Sequence, residues 1–209
     1  MNKSIKLILW DFGGVLTKSP LHKFIDYENK FNISPGTIIK INSHNKFNNA
    51  WAKLEKNLIN KKEFSELFFK EAKELNIKEK LDIDKILECL NVELETAMVE
   101  VFMKLKDKLP FACLTNNIAK NVYRNSNNNF ESFKSNFNYV FESSKLGLRK
   151  PEEEIYKYVL KVLNLSPKNI LFIDDLGINL KPAKKLGFHT YKYVNPQDTQ
   201  NFLEGFLEF

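Results

Sequence analysis

Four short polar sites in this chain follow apolar runs or loops and carry the residue types of phosphoryl-transfer chemistry. They are Asp11, Thr115-Asn116-Asn117, Lys150-Pro151 and Asp174-Asp175. Three of them stand at or just past the end of a run that is typical of a buried parallel strand, whereas Lys150 lies in a predicted loop. Open α/β sheets place their chemistry at the carboxyl ends of strands, so we expect these sites to meet. Together they predict a magnesium-dependent phosphoryl-transfer site.

The acidic residues are candidates for a nucleophile and a metal site. Asp11 follows four apolar residues and precedes a Gly-Gly turn. A carboxylate held there can attack phosphorus and form an aspartyl-phosphate, provided that a cation offsets the repulsion between the two anions. Asp174 and Asp175 repeat this arrangement after the run 170–173, and their oxygen atoms suit a hard cation such as Mg²⁺. Capping of a turn by Asp11, or of a helix by the acidic pair, remains the alternative.

Two further sites are expected to support the acidic residues. Thr115 and Asn116 end an apolar run and enter a predicted helix, where a hydroxyl, an amide and free backbone donors can hold a phosphate. An ordinary helix cap would have the same sequence. Asn179 lies four residues beyond Asp175 and is expected to contact the residues that hold the metal.

Lys150 is the candidate cation of the site. Pro151 stiffens its loop and starts the next helix, so the ammonium can point inward and neutralise the nucleophile and the phosphate. A surface lysine is the alternative, and Arg149 beside it is expected to be exposed. No serine or cysteine has an evident histidine partner, which argues against a Ser-His or Cys-His nucleophile.

The elements that must position these residues alternate between strands and helices. Such alternation indicates a parallel sheet covered on both faces. Between about 21 and 106 the strand signals vanish, and apolar residues recur at helical spacing, which predicts about four helices, one of them starting at Ser34-Pro35. Strands are predicted at 5–9, 111–114, 139–141, 170–173 and 190–194, and helices at 118–123, 152–163, 181–186 and around 202–207. The Asn-rich stretch 125–138 is expected to be an irregular or helical surface element.

Length and composition indicate an ordinary globular protein. The 209 residues fit one large domain, or a core with a modest insert. The net charge of +6 arises from 32 basic residues interleaved with 26 acidic ones, a pattern that favours a solvated surface over a nucleic-acid site. Two cysteines give no disulfide framework, and neither a signal peptide nor a long apolar stretch is evident. We therefore expect a cytoplasmic protein without a nucleic-acid or membrane partner.

Taken in order, the four sites resemble the motifs of the haloacid dehalogenase superfamily over nearly the whole chain. The segments 11–16 and 147–156 look most like the branch that holds the amino-terminal phosphatase domain of soluble epoxide hydrolase and glucose-1-phosphatase-like enzymes. The resemblance implies an α/β fold with a Rossmann-like, three-layer core and a parallel sheet, formed by 1–18 and 107–209. It also implies an inserted all-helical cap, 19–106, that closes over the active site and selects the substrate.

The same resemblance implies a role for each site residue. Asp11 would be the nucleophile, Thr115 and Asn116 would bind the phosphoryl group, and Lys150 would stabilise charge. Mg²⁺ would be held by Asp11, the carbonyl of Gly13, Asp175, and Asp174 either directly or through water, with Asn179 behind them. Family phosphatases usually carry an aspartate where this chain has Gly13, as general acid and then base. Its loss typically costs about 10² to 10⁴ in rate.

These features predict a magnesium-dependent phosphatase, a monomer or homodimer, that acts on a small phosphorylated metabolite through an aspartyl-phosphate. Two alternatives stay open. A binding or regulatory protein with little turnover is favoured by Gly13 and opposed by the intact acidic cluster. A 2-haloacid dehalogenase would use the same Asp11, and release of halide would reveal it.

Overall fold

The core of the fold is a five-stranded sheet in which every pair of neighbouring strands is parallel. The computed structural model describes residues 5–120, 122 and 128–207. The strand order is β3-β2-β1-β4-β5, so β1 lies at the centre of the sheet. The strands are β1 Leu7–Trp10, β2 Phe111–Thr115, β3 Tyr139–Glu142, β4 Ile170–Asp174 and β5 His189–Lys192. Each corresponds to a predicted strand, and the observed ends lie within two residues of the predicted ends.

Helices flank the sheet on both faces and fill the long connection between β1 and β2. Two 3₁₀ turns, Lys134–Asn136 and Pro167–Asn169, join elements of the core. The α-helices are α1 Pro20–Lys30, α2 Thr37–Ser43, α3 Ala50–Glu55, α4 Lys61–Glu74, α5 Ile83–Glu88, α6 Thr96–Leu105, α7 Asn128–Phe133, α8 Ser143–Leu146, α9 Glu153–Leu163, α10 Gly177–Lys185 and α11 Pro196–Leu207. The arrangement is an α/β fold of the Rossmann-like, three-layer kind.

The connection from β1 to β2 holds six helices, so the prediction of about four was wrong. The helix expected to start at Ser34-Pro35 begins instead at Thr37. Gly36 adopts φ 81°, a left-handed conformation that separates Pro35 from the helix. The buried carboxylate of Glu28 accepts hydrogen bonds from the backbone nitrogens of Gly36 and Ile38, at 2.6 and 2.8 Å. This long-range cap could not be inferred from local sequence.

Three apolar clusters hold the molecule together. One covers each face of the sheet, because alternate residues of β1, β2 and β4 point to opposite sides. The third lies among helices α1 to α5 and includes Trp51 and Phe64. Helix α6 belongs to the cluster on one sheet face, through Met98 and Phe102, although it lies within the predicted cap range 19–106. The division into a core of 1–18 and 107–209 and a cap of 19–106 stays a prediction.

The segment after β2 differs from the helix predicted at 118–123. Residues 116–119 have no regular structure, Lys120 lies in a turn, and 121 and 123 are outside the described residues. The backbone nitrogen of Asn117 donates to Ser143 Oγ at 2.9 Å, and its side chain donates to Glu142 at 2.8 Å, so the chain is tied to the end of β3 instead. In the Asn-rich stretch, the described residues 128–136 are helical and bury Phe130 and Phe133, while 125–127 lie outside the description.

Among the described helices, none combines the length and the apolar character needed to cross a membrane.

Candidate active site

The acidic residues of the predicted site meet at the carboxyl edge of the sheet. Trp10, the last residue of β1, is paired with Ile173 of β4, so Asp11 and Asp174 follow on neighbouring strands. The backbone nitrogen of Asp11 donates to the carbonyl of Ile173 at 2.8 Å, which carries the pairing past the strand end. Thr115, buried at the end of β2, lies on the other side of β1. The parallel strands therefore place the three sites at one edge.

Lys150 enters this edge from the loop between α8 and α9. Its Nζ atom lies 2.7 Å from Asp11 Oδ2 and 2.7 Å from Asp174 Oδ2, and only 1% of its side chain is exposed. Burial alone would lower the pKa of Lys150, but the two adjacent carboxylates raise it above its usual value, so the ammonium stays charged. Its charge is therefore held between the candidate nucleophile and a second acid.

One ammonium faces three carboxylates, so this cluster is short of positive charge. Oxygen atoms of Asp11, Asp174 and Asp175 lie within 4.8 Å of one another. Burial raises the pKa of Asp11 well above its ordinary value, opposed by Lys150 and reinforced by the other two acids. Burial and the charge of Asp174 also raise the pKa of Asp175 to about 6. The shifts show that the folded chain resists full ionisation of this cluster.

The composition and packing of the cluster fit a divalent cation. Its donor atoms are carboxylate oxygens, the ligands that Mg²⁺ prefers, and with all three acids ionised the cluster would lack two positive charges. Gly14 adopts φ 77°, and a Cβ atom there would lie 2.5 Å from Asp175 Oδ2. A glycine at this turn therefore leaves the space in which the Asp175 carboxylate sits.

Asp174 and Asp175 are adjacent but have different surroundings. Asp174 is fully buried, and Asn179 in α10 donates to both of its carboxylate oxygens, at 3.0 and 3.1 Å. The backbone nitrogen of Leu176 donates to Oδ1 at 2.8 Å, and Tyr156 Oη donates to the carbonyl of Asn179 at 2.7 Å. Asp174 is thus fixed by the protein, whereas Asp175 is partly exposed. Asp175 is the acid with more freedom to bind a ligand.

Comparison with known proteins shows the family to which this chain belongs. The family model described as haloacid dehalogenase-like hydrolase matches residues 5–187. The chain belongs to the haloacid dehalogenase-like hydrolases. As in the resemblance drawn from the sequence, its matched region contains all four motifs.

Two curated relatives and one solved structure show what this hydrolase is similar to. Rat bifunctional epoxide hydrolase 2 is 46% identical over 54 residues, which cover 26% of this chain and 10% of that protein. D-ribitol-5-phosphate phosphatase of Bacteroides thetaiotaomicron is 36% identical over 59 residues, 28% of this chain and 29% of the relative. The matches therefore span less than a third of either relative. A haloacid dehalogenase family enzyme of the same bacterium, solved with magnesium and inorganic phosphate, has TM-score 0.59 and 26% identity, covering 91% of this chain and 94% of its own.

In this haloacid dehalogenase-like hydrolase, the side chain of Asn116 binds the main chain of Lys150. Its Oδ1 accepts from the Lys150 nitrogen at 2.9 Å, and its Nδ2 donates to the Lys150 carbonyl at 2.9 Å and to Glu55 Oε2 at 3.1 Å. The amide therefore positions the lysine. Phosphate binding by Asn116 and Thr115 stays a prediction.

Glu55 and Arg149 are residues of this site that sequence reasoning missed. Arg149 was expected to be exposed, but only 12% of its side chain is, because its Nε donates to Glu55 Oε2 at 2.6 Å. That expectation was wrong because the partner lies 94 positions away, at the end of α3. A lone glutamate at a helix end carries no sequence signal for such a contact.

A small cavity adjoins the edge of the hydrolase sheet. Its volume is about 90 Å³, and it is lined by Gly13, Thr115 and Asn116 on the sheet side, by Trp51 of α3 and by Leu90 in the turn after α5. A Cβ atom at Gly13 would meet no atom within 4 Å. The position where family phosphatases usually carry the general acid is thus open space that reaches the cavity.

Proposed function

We propose that this chain is a magnesium-dependent phosphatase that acts on a small phosphorylated metabolite through an aspartyl-phosphate on Asp11. The observation that carries the proposal is the Lys150 ammonium, bonded at 2.7 Å to both Asp11 and Asp174 in a cluster that still lacks about two positive charges. The matches to a phosphatase and to a family enzyme solved with magnesium and inorganic phosphate support it.

The residues for binding are grouped at one edge. Asp11, Asp174, Asp175 and the carbonyl of Gly13 would hold Mg²⁺, which when bound offsets the repulsion between the nucleophile and the phosphate. Thr115 and the backbone at Asn116 are the proposed donors to the phosphoryl oxygens. The cavity beside Gly13 would receive the rest of the substrate, and its volume of about 90 Å³ favours a compact leaving group.

Two displacement steps follow from this arrangement. In the first, a carboxylate oxygen of Asp11 bonds to phosphorus, and the bond from phosphorus to the substrate oxygen breaks with its electron pair going to that oxygen. In the second, a water oxygen bonds to phosphorus and gives up its proton to solvent, the bond from phosphorus to Asp11 breaks with its electron pair going to the carboxylate, and inorganic phosphate leaves. Lys150 holds Asp11 through both steps, because its hydrogen bond and charge stabilise the carboxylate when it departs.

Gly13 determines which substrates this chemistry suits. Since it offers no general acid, the leaving oxygen must take its proton from water. Acidic leaving groups, such as aryl or anomeric sugar oxygens, therefore react best. Gly13 also favours the second candidate, a binding or regulatory protein with little turnover. The cytoplasmic location and the monomeric or dimeric state stay predictions from the sequence.

Hydrolysis of 4-nitrophenyl phosphate, with magnesium or with EDTA, tests the proposal on the wild type and on Asp11→Asn. We expect turnover that disappears with EDTA and falls at least about 10³-fold in the variant. Magnesium binding without turnover on aryl and sugar phosphates would instead favour the regulatory protein. Release of halide from a 2-haloacid would favour the dehalogenase.

A further inference from the structure

The end of helix α3 forms ion pairs with residues on either side of Lys150. Glu55, the last residue of the helix, binds Arg149 at 2.6 Å, and both side chains are only 12% exposed. Lys56, the next residue, binds Glu152 at 2.8 Å. Arg149 also donates from Nη1 to the carbonyl of Lys46, before α3. The contacts from the helical segment therefore lie on both sides of Lys150 in the sequence.

Glu55 differs from Lys56 because it also reaches the residue that holds the Lys150 main chain. Its Oε2 atom accepts from Arg149 and, at 3.1 Å, from Asn116 Nδ2. The same Nδ2 donates to the carbonyl of Lys150, and Oδ1 of Asn116 accepts from the Lys150 nitrogen. One carboxylate oxygen thus orients the amide that fixes Lys150, and the lysine in turn bridges Asp11 and Asp174.

Loss of the Glu55 carboxylate would affect this arrangement more than an exposed ion pair would. Arg149 would keep a largely buried guanidinium without its carboxylate, and breaking such a pair is costly. Asn116 would lose the acceptor that holds its amide in place, so its two bonds to Lys150 would be less constrained. The Lys150 side chain, which is 1% exposed, would then sample other positions.

We propose that Glu55 is a positioning residue that places the Lys150 ammonium between Asp11 and Asp174, acting through Asn116 and Arg149. The packing of α3 against the sheet edge is therefore coupled to the assembly of the charged cluster. The effect on catalysis rests on the proposed phosphatase function. The effect on the position of Lys150 does not, and it can be measured without turnover.

The test uses the full chain labelled with ¹³C at the lysine ε-carbons. The NMR signal of Lys150 is assigned by its loss in Lys150→Met. Glu55→Ala removes the acceptor, Glu55→Asp keeps the charge but shortens its reach, and Glu55→Gln keeps an acceptor at full reach. Lys56→Met is the matched control, since it cuts the neighbouring contact to Glu152 from the same helix end.

We expect the Lys150 signal to shift or broaden most in Glu55→Ala and clearly in Glu55→Asp. The change should be smaller in Glu55→Gln, which keeps the acceptor for Asn116 but leaves Arg149 without its carboxylate, and absent in Lys56→Met. With 4-nitrophenyl phosphate, kcat should fall about 10- to 100-fold in Glu55→Ala, as for a misplaced catalytic group. KM should change by less than about 3-fold, because substrate contacts remain. Glu55→Gln should recover part of the loss, because it keeps the acceptor for Asn116 but not the charge that pairs with Arg149.

An unchanged Lys150 signal in folded Glu55→Ala or Glu55→Asp overturns the proposal, and so does an equal change in Lys56→Met. If Glu55→Ala does not fold, the milder Glu55→Asp decides the question by the same signal. A wild type without turnover whose Lys150 signal still responds to Glu55 refutes the phosphatase function and leaves the positioning role standing.

Discussion

At the scale of single residues, two adjacent glycines that follow the proposed nucleophile Asp11 have opposite surroundings. A Cβ atom at Gly13 would meet nothing within 4 Å, whereas one at Gly14 would lie 2.5 Å from Asp175 Oδ2. Gly14 also has φ 77°, which L side chains rarely adopt. The sequence shows only a Gly-Gly turn, so it could not tell the replaceable glycine from the required one. The difference comes from Asp175, which is far away in the chain.

The open space at Gly13 has room for the general acid that the family resemblance implies at this position. We expect Gly13→Asp to raise kcat for alkyl phosphates, which need a proton on the leaving oxygen, by about 10² or more. With 4-nitrophenyl phosphate, whose leaving oxygen is acidic, the gain should be much smaller. Gly13→Asn is the control, since it has similar size but cannot deliver the proton. An equal gain on both substrates, or in both variants, would refute the role of Gly13.

Gly14→Ala should lower both the stability and the magnesium affinity of the protein, whereas Gly13→Ala should change neither appreciably. Urea denaturation should show that Gly14→Ala lowers the free energy of unfolding by at least about 1 to 2 kcal/mol. The left-handed backbone at this position is sufficient to cause that loss. Magnesium affinity, measured by calorimetry, should fall as well, because the new Cβ displaces Asp175. Gly13→Ala should stay within about 0.5 kcal/mol of the wild type. Equal effects of the two substitutions would rule out this explanation.

At the scale of elements, the strands were predictable and the helices between β1 and β2 were less so. Buried parallel strands appear as continuous apolar runs, such as Leu7–Trp10, which Asp11 follows, and Ile170–Asp174, which ends at a site residue. Helix ends depend on distant groups, as the capping of α2 by Glu28 shows. The contact of Glu55 with Arg149 was missed for the same reason.

Helix α10 fixes Asp174, the acid at the end of β4, through Asn179. Asn179→Ala would remove the amide that donates to both oxygens of Asp174. We expect urea denaturation to show that the free energy of unfolding falls by about 1 to 3 kcal/mol, since the Asp174 carboxylate is fully buried and would lose these donors. The exposed Gln197→Ala on α11, which loses a surface hydrogen bond to Asn201, should change stability by less than about 0.5 kcal/mol. Comparable effects of the two would show that Asn179 does not support the site.

At the scale of the whole molecule, binding of a cation by the acidic cluster would make folding and cation binding interdependent. Asp11, Asp174 and Asp175 belong to loops and strands from both ends of the chain, and the sheet brings them within 4.8 Å. Lys150 compensates only part of their charge. A cation that binds the folded chain and not the unfolded one must stabilise the fold.

Magnesium should therefore raise the melting temperature relative to EDTA. At a magnesium concentration of one hundred times its Kd, the free energy of unfolding should rise by about 2.7 kcal/mol. Asp175→Asn should remove most of this increase. Glu93→Gln should keep it, since Glu93 is an exposed acid paired with Lys18 outside the cluster. The same melting temperature with magnesium and with EDTA in the wild type would contradict the metal site.

Rapid acid quenching tests most directly whether Asp11 carries the phosphoryl group. The enzyme is mixed with an aryl phosphate and magnesium, quenched within one turnover, digested and analysed by mass spectrometry. We expect one phosphoryl group on the peptide that contains Asp11, none in Asp11→Asn, and, in H₂¹⁸O, the heavy oxygen in released phosphate and not in Asp11. Turnover without this adduct, or with ¹⁸O in Asp11, would contradict the account.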